Sequence, residues 1–161
     1  MTISSQPALL DANILVYADQ AHDEHHEAAK AIRDLGQQGV LPLCVTPQVL
    51  NEYFAVITNP RRVTHPLRPA EAMAEVEKYV RSRHIRKLYP GPGVHDQLQD
   101  LFRRRPIAGA DIFDLYLVAT MLENGVRRIY TFNTDDFTPF SEIEVLTPPA
   151  PEPEQSTSST S

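Results

Sequence analysis

The sequence has a single cysteine and no long apolar run, and each shortage excludes a class of protein. Cys44 has no disulfide partner and lies in an apolar run, so we expect a buried thiol that acts as a small hydrophobic side chain. No stretch of about 18 apolar residues is present, and the first residues contain neither the basic nor the apolar part of a secretory signal. We therefore expect a cytoplasmic protein of one domain, without a membrane partner.

Acidic residues are in excess overall, but the basic residues are concentrated in one part of the chain. The formal net charge is −6. Thirteen of the fifteen Lys and Arg lie between residues 61 and 128, against eight Asp and Glu, so this segment carries +5 and the remainder −11. Basic clusters occur at 61–62, 81–87 and 103–105. Such a surface could bind a polyanion, although solvated helix faces account for the same charges.

The segment 109–125 predicts one helix that is apolar on almost every side. Asp111 and Asp114 occupy its first turns, where the helix dipole favours negative charge, and Gly125 is a natural stop. Residues three to four apart share a helix face, so Asp114 lies on the same face as the apolar Val118. A carboxylate that points inward needs a basic partner, several hydrogen-bond donors or a cation.

Two further acids interrupt apolar patterns elsewhere in the chain. Asp11 directly follows the apolar run at 8–10, which predicts a buried strand with Asp11 at its C-terminal end. Glu52 lies on a predicted helix opened by Thr46 and Pro47, among apolar residues three and four positions away. We expect this second helix, like the first, to point an acid at the core.

The predicted elements alternate between strands and helices. In chain order they are a strand at 8–10, a helix at 22–35, a strand at 40–45, helices at 48–58 and 70–81, a strand at 85–89, helices at 94–104 and 109–125, and strands at 127–132 and 143–146. This alternation predicts an α/β three-layer fold, with a mainly parallel central sheet flanked by helices. We assign the domain to residues 1–147 and predict a disordered tail rich in Pro, Ser and Thr at 148–161.

Four polar positions are expected at one rim of this sheet. Asp11 and the segment 133–136 each follow a strand, and functional crevices of parallel sheets lie at the carboxyl ends of the strands. If Glu52 and Asp114 project from helix starts at the same rim, the acids meet in one cleft. Each acid alone could be a turn residue, a salt-bridged acid or a cap. Oxygen ligands without sulfur or imidazole suit Mg²⁺ or Mn²⁺, ions that support phosphodiester hydrolysis, and the strand ends offer no Lys or Arg instead.

Two other kinds of site are disfavoured by what is missing around them. His22, His25 and His26 could in principle bind zinc, but they lie among acids on a polar helix start, and no Cys or further His completes a set. A phosphoacceptor receiver module also gathers acids at strand ends, but it needs a lysine just past a late strand, and none is present there.

Four segments resemble the signature segments of PIN-domain ribonucleases: 10–17, 48–52, 111–114 and 131–137. The chain most closely resembles the VapC-type toxins of bacterial toxin–antitoxin pairs, over residues from about Leu9 to Pro148. One such motif is weak, but four in the right order and spacing are specific. The resemblance implies a PIN-like fold and the activity of a metal-dependent endoribonuclease that uses a metal-activated water.

Carried over residue by residue, the resemblance implies that Asp11, Glu52 and Asp114 hold Mg²⁺ or Mn²⁺. Asn133 matches the fourth position, where the family often has Asp, and it supplies an oxygen without charge. Asp135 is the reserve candidate for that position. Two further roles are implied: Asp111 as an outer ligand or a helix cap, and Asp136 as the residue that fixes the following turn.

The resemblance also implies partners. VapC-type toxins typically form homodimers and are held inactive by a small VapB-type antitoxin whose tail lies in the active-site cleft. Two alternatives stay open within the family resemblance: a catalytically inactive PIN module that acts by binding, and a DNA-directed nuclease of the same fold. A bound metal, acidic ligands and basic clusters would suit the cleavage of RNA and of DNA equally.

Overall fold

The computed structural model describes residues 4–150, which form five strands and six helices. The strands are β1 (Ala8–Leu10), β2 (Leu43–Val45), β3 (Arg86–Lys87), β4 (Arg128–Tyr130) and β5 (Glu144–Leu146). The helices are α1 (Ala12–Asp19), α2 (His26–Gln37), α3 (Pro47–Ile57), α4 (Pro69–Arg81), α5 (Val94–Arg104) and α6 (Asp111–Glu123). A short 3-10 turn, Thr134–Asp136, follows β4.

All five strands belong to one parallel sheet with the order β3-β2-β1-β4-β5. Leu9, in the central strand, is paired with Cys44 of β2 on one side and with Ile129 of β4 on the other. The chain therefore moves from β1 outward to β3 and then returns across β1 to β4 and β5. The strand order reverses between β1 and β4, which is where doubly wound sheets open a crevice.

The helices form two groups. Helices α1 to α4 contact one another, and α5 contacts α6. Since parallel crossovers are right-handed and the chain reverses its direction of travel after β3, the two groups cover opposite faces of the sheet. The expected α/β three-layer fold with a parallel sheet is confirmed.

The core lies where the central strands meet α6. Every residue of β1 and β2 is buried, as are Leu115 and residues 117–121 of α6. Cys44 is fully buried in β2, and this burial raises the pKa of its thiol to about 11, so it remains a neutral apolar group. The expectation of a buried, unreactive cysteine is confirmed.

Helix α1 was not expected from the sequence, and helix α2 begins later than predicted. Helix α1 occupies residues 12–19, where an apolar run continuous with β1 gave no helical signal, because short apolar runs do not distinguish helix from strand. Helix α2 begins at His26 instead of His22, because the Asp23 carboxylate accepts a hydrogen bond from the His25 backbone N–H (2.8 Å) and holds a turn. The helix predicted at 94–104 has the bounds of α5.

The predicted tail lies largely outside the described residues. Residues 151–161 are not described, so the disorder expected for them stays a prediction, while Pro148 at the start of the tail is buried. Within residues 4–150, no helix is both long enough and apolar enough to cross a membrane.

Candidate active site

Asp11 lies directly after β1, at the point where the strand order reverses. Its Oδ1 accepts a hydrogen bond from the backbone N–H of Ala12 (2.8 Å) and so caps α1. Its Oδ2 accepts from the Thr131 hydroxyl (2.7 Å) and from the side-chain amide of Asn13 (3.1 Å). Three donors therefore hold a carboxylate that is only 7% exposed in one orientation.

Thr131 and Asn13 connect the ends of β1 and β4. The Thr131 hydroxyl donates to Asp11 and accepts from the Asn13 amide (3.1 Å) and from the Asn133 backbone N–H (3.0 Å). The Asn13 side-chain oxygen accepts from the backbone N–H of Phe132 (3.2 Å). The sequence analysis gave neither residue a role in the site. The signal available for both was a polar residue close to the C-terminal end of a strand, directly after β4 for Thr131 and within the first turn of α1 for Asn13.

A cleft of about 190 Å³ opens at this end of the sheet and brings most of the predicted site residues together. Its polar lining consists mainly of Asp11, Glu52, Asp114, Asn133 and Asp136, with Asn13 beside them. Asp111 and Asp135 are not among the residues that line it. The 3-10 turn therefore presents Asp136, which the sequence analysis treated as a turn residue, on the cleft side.

Helices α3 and α6 approach each other at their N-terminal ends. Thr46 caps α3 by accepting a hydrogen bond from the backbone N–H of Val49 (3.1 Å). The Gln48 side-chain amide then donates to the backbone carbonyl of Phe113 at the start of α6 (2.9 Å). This contact fixes the first turns of the two helices relative to each other, so both can contribute a carboxylate to one cleft.

The expectation that Glu52 points at the core is wrong in one respect. Glu52 is solvent-exposed, and its side chain lines the cleft beside Val56. Asp114 is half-buried, as its apolar surroundings predicted. Apolar residues three and four positions from an acid can line the wall of a crevice as well as the packed core, so this pattern alone does not show that the acid is buried.

The cleft raises the pKa of each of its three predicted acidic ligands. The pKa of Asp114 rises to about 6, first through loss of hydration and then through the negative charges of Asp136, Asp11 and Asp111. The pKa of Glu52 is raised by loss of hydration in the cleft and by the charges of Asp11 and Asp114. Burial raises the pKa of Asp11 against the opposing effect of its hydrogen bonds. The carboxylates therefore repel one another in the absence of a cation.

Arg62 is a basic residue of the cleft that the sequence analysis did not place there. It follows α3, lines the cleft and lowers the pKa of Glu52. It forms no salt bridge with the carboxylates of residues 4–150. One unpaired guanidinium does not neutralise four carboxylates, so the net charge of the ionised cleft is negative.

The donor chemistry of the cleft fits a hard divalent cation. Its ligands are carboxylate and amide oxygens, without sulfur or imidazole, and this set suits Mg²⁺ or Mn²⁺. Within the described residues, no three His, Cys, Asp or Glu side chains already converge into a closed set of metal ligands.

The histidines considered for zinc have other contacts. The His25 ring stacks on Phe132, with 4.2 Å between ring centroids and 20° between planes, and it also contacts Tyr17. The Nδ1 atom of His26 hydrogen-bonds the backbone carbonyl of Tyr17 (2.9 Å). These contacts give both side chains a structural role at the edge of the cleft.

The fold and the cleft together define a class: an α/β domain with an acidic, cation-compatible crevice at the switch point of a parallel sheet. Residues 8–145 match the family model described as the PIN domain, and the chain belongs to the PIN-domain family. Ribonuclease VapC24 of Mycobacterium tuberculosis is 32% identical over 139 residues, which cover 86% of this chain and 94% of that protein. The resemblance noted from the four sequence segments is thus confirmed at the family level.

Solved structures with the same fold include toxins alone and toxin–antitoxin complexes. The crystal structure of Mycobacterium tuberculosis VapC20, a sarcin-ricin loop cleaving toxin, matches with a TM-score of 0.58 at 21% identity, over 80% of this chain and 92% of that one. VapBC2 from Rickettsia felis, bound to a DNA fragment from its promoter, matches with a TM-score of 0.59 at 14% identity, over 88% of this chain and 98% of that one. At these identities the likeness shows the fold.

Proposed function

We propose that this chain is a metal-dependent endoribonuclease, the toxin of a toxin–antitoxin pair, which hydrolyses phosphodiester bonds of RNA. The observation that carries the proposal is the cleft at the switch point, where four carboxylates from separate parts of the chain repel one another. Arg62 is the one basic side chain among the described residues that line this cleft. The names of the curated relatives, which are ribonucleases, support the choice of RNA.

Asp11, Glu52 and Asp114 are the proposed ligands of Mg²⁺ or Mn²⁺. Asn133 contributes a neutral oxygen at the fourth position, and Asp136 supplies the charge that Asn133 lacks. Asp135 and Asp111 lie outside the cleft lining, which favours Asp136 over the reserve candidate Asp135. When bound here, a divalent ion would lower the pKa of a water molecule and polarise a phosphoryl oxygen.

The protein's own groups position the reaction around that ion. The Thr131 hydroxyl and the Asn13 amide hold the Asp11 carboxylate in a fixed orientation, so little reorganisation is needed when a cation arrives. Arg62 offers a positive charge for a substrate phosphate at the cleft edge. Asp114, whose pKa is raised to about 6, is largely ionised near neutral pH and so can bind a cation there.

The proposed partners follow from the relatives. Structural neighbours include toxins solved with their antitoxins, and this supports a VapB-type antitoxin as the inhibitor of this chain. The homodimer and the cytoplasmic location that the sequence led us to expect stay part of the proposal.

The proposal is tested by incubating the purified chain with structured RNA and with single-stranded DNA of matched sequence, each with Mg²⁺, with Mn²⁺ or with EDTA. We expect cuts in RNA with either ion and none with EDTA. Cuts in DNA alone would identify a DNA-directed nuclease of the same fold. No cuts in either polymer, with a well-folded protein and a panel of cellular RNAs, would favour an inactive module that acts by binding.

A further inference from the structure

A second and larger cavity adjoins the acidic cleft. Its volume is about 420 Å³, and it lies between the end of α1, the turn before α2 and the loop that follows α3. Val16, Tyr17 and Arg62 line both this cavity and the cleft, so the two spaces are continuous along one wall. A chain of nucleotides that crosses the carboxylates would therefore meet this cavity next.

The lining of the cavity combines an apolar base with polar edges. Ile57, Val63 and Leu67 supply apolar surface, while Gln20, His22 and His65 supply donors and acceptors. Two acids, Asp19 and Asp23, also line the cavity, and Asp19 is paired with Arg33 at 3.0 Å. Ligand sites in proteins commonly have volumes of about 300–1,000 Å³. The cavity has the size and the chemistry to take one nucleobase with its ribose.

Tyr17 stands at the junction of the two spaces with its ring already fixed. Phe132 contacts it edge-on at 5.5 Å between centroids, and His25 contacts it at 5.2 Å. His25 and Phe132 stack on each other, so the three rings form one packed cluster. An aromatic ring held in this way loses little conformational freedom when a base binds against it.

Arg62 stands at the same junction with its charge available. It is exposed and has no salt-bridge partner among the described residues, whereas Arg33 is paired with Asp34 and with the cavity-lining Asp19. A guanidinium between an acidic cleft and a polar cavity suits the phosphate that links a base in the cavity to a bond in the cleft.

We infer that this cavity is a nucleotide subsite, which takes the base next to the cleaved phosphodiester while Arg62 binds the linking phosphate. The inference rests on the proposed function only in that RNA is the polymer in the cleft. Occupation of the cavity by one base makes it a determinant of which bond is cut.

The test uses the full chain and four probes, AMP, GMP, CMP and UMP, with ribose 5-phosphate as the control probe that lacks a base. Backbone amide shifts in NMR spectra report binding at residues 16–23 and 62–67. We expect at least one nucleotide to shift both segments and ribose 5-phosphate to shift only amides near Arg62. Nucleotide shifts confined to the carboxylate cleft, or absent, would overturn the inference.

Nucleotide affinities of single variants distinguish the contribution of base stacking on Tyr17 from that of the Arg62 charge. Tyr17→Ala and His65→Ala should each weaken nucleotide binding, with about a tenfold loss for Tyr17→Ala through lost base stacking, while Tyr17→Phe retains affinity. Arg62→Gln should weaken binding of the nucleotides and of ribose 5-phosphate alike. The matched control Arg61→Gln, which makes the same charge change outside the cavity lining, should change affinity by less than about twofold. Equal effects of Arg61→Gln and Arg62→Gln would contradict a built phosphate contact.

RNA cleavage by the same preparations distinguishes this inference from the proposed function. Nucleotide binding in the cavity without RNA cleavage would support the subsite and contradict the endoribonuclease. Cleavage of RNA without nucleotide shifts at 16–23 and 62–67 would contradict the subsite alone.

Discussion

Asp114 is the residue whose charge is most strongly perturbed by its place in the cleft. Its pKa of about 6 lies above the ordinary value of 3.8, so between these pH values the folded chain binds more protons than the unfolded chain. The free energy of unfolding therefore falls as pH rises through this window. The raised pKa values of Glu52 and Asp11 act in the same direction.

Asp114→Asn should remove the share of this pH dependence that Asp114 causes. In EDTA we expect the variant to be at least as stable as the wild type at pH 7.5, and the two melting temperatures to converge near pH 4, where Asp114 is protonated. Thermal unfolding from pH 4 to 8 checks this, with Asp135→Asn as the control outside the cleft. A clear drop in melting temperature for Asp114→Asn at pH 7.5 would contradict an acidic cleft.

Thr131→Val should destabilise the fold through the hydrogen bonds that it breaks. The substitution leaves Asp11 without its shortest donor, and leaves the Asn13 amide and the Asn133 N–H without the acceptor they share. Leaving buried polar groups unsatisfied costs about 1–3 kcal/mol of unfolding free energy. Urea unfolding beside the exposed control Thr138→Val measures it, and equal stability of the two variants would refute the network.

Single residues also show where sequence reasoning ends. Asp11, Glu52 and Asp114 could be predicted to share a cleft because acids that interrupt apolar patterns are visible in the sequence. Arg62 could not, because its loop has no periodicity and only tertiary packing brings it to the cleft. The choice between Asp135 and Asp136 depends on one turn, and a rotation by a single residue decides which carboxylate faces inward.

At the scale of elements, helix α6 was predictable and α1 was not. The apolar composition of α6 on nearly all sides predicts a buried helix, and Phe113, at 63% exposed, is the large apolar side chain that its first turn leaves in solvent. Helix α1 has eight residues and directly follows β1, so its apolar run was indistinguishable from a longer strand. What makes it a helix is the cap that Asp11 supplies.

The contact of α2 with β2 depends on Gly36. A Cβ atom added there would stand 2.6 Å from Leu43 Cδ1 and 3.2 Å from Leu43 Cβ. Gly36→Ala should therefore cost about 1–3 kcal/mol of unfolding free energy through overpacking. Leu43→Val removes the nearest atom, Cδ1, so the double variant should lose less stability than the sum of the single variants, as urea unfolding can show. Additive losses would mean that the two residues do not press on each other.

At the scale of the whole molecule, cation binding in the cleft should be coupled to folding. A cation that binds the folded chain alone stabilises it by about 2.7 kcal/mol at 100 times its dissociation constant. We expect Mg²⁺ or Mn²⁺ to raise the melting temperature of the wild type and to raise that of Asp114→Asn much less. Thermal unfolding across a metal titration measures this effect, with Asp135→Asn as the variant that should follow the wild type. Equal shifts in all three proteins would place the cation elsewhere.

The global fold could be predicted from the sequence better than the shape of its crevices. Alternating strands and helices predicted a parallel sheet, and four acidic or amide positions after strands or at helix starts predicted a cleft at its carboxyl edge. The strand order, and with it the switch point between β1 and β4, was not predictable, because it depends on long-range pairing such as that of Leu9 with Ile129. The cavity beside Tyr17 likewise exists only where three separate segments meet.

The central claim is that RNA is cut by this acidic cleft with the help of a divalent ion. The most direct measurement compares the rate of RNA cleavage in Mg²⁺ by the wild type, Asp114→Asn and Asp135→Asn at equal folded concentrations. We predict that cleavage is lost in Asp114→Asn and retained in Asp135→Asn, since only the first removes a carboxylate from the cleft. Undiminished cleavage by Asp114→Asn, or equal loss in both variants, would contradict the account.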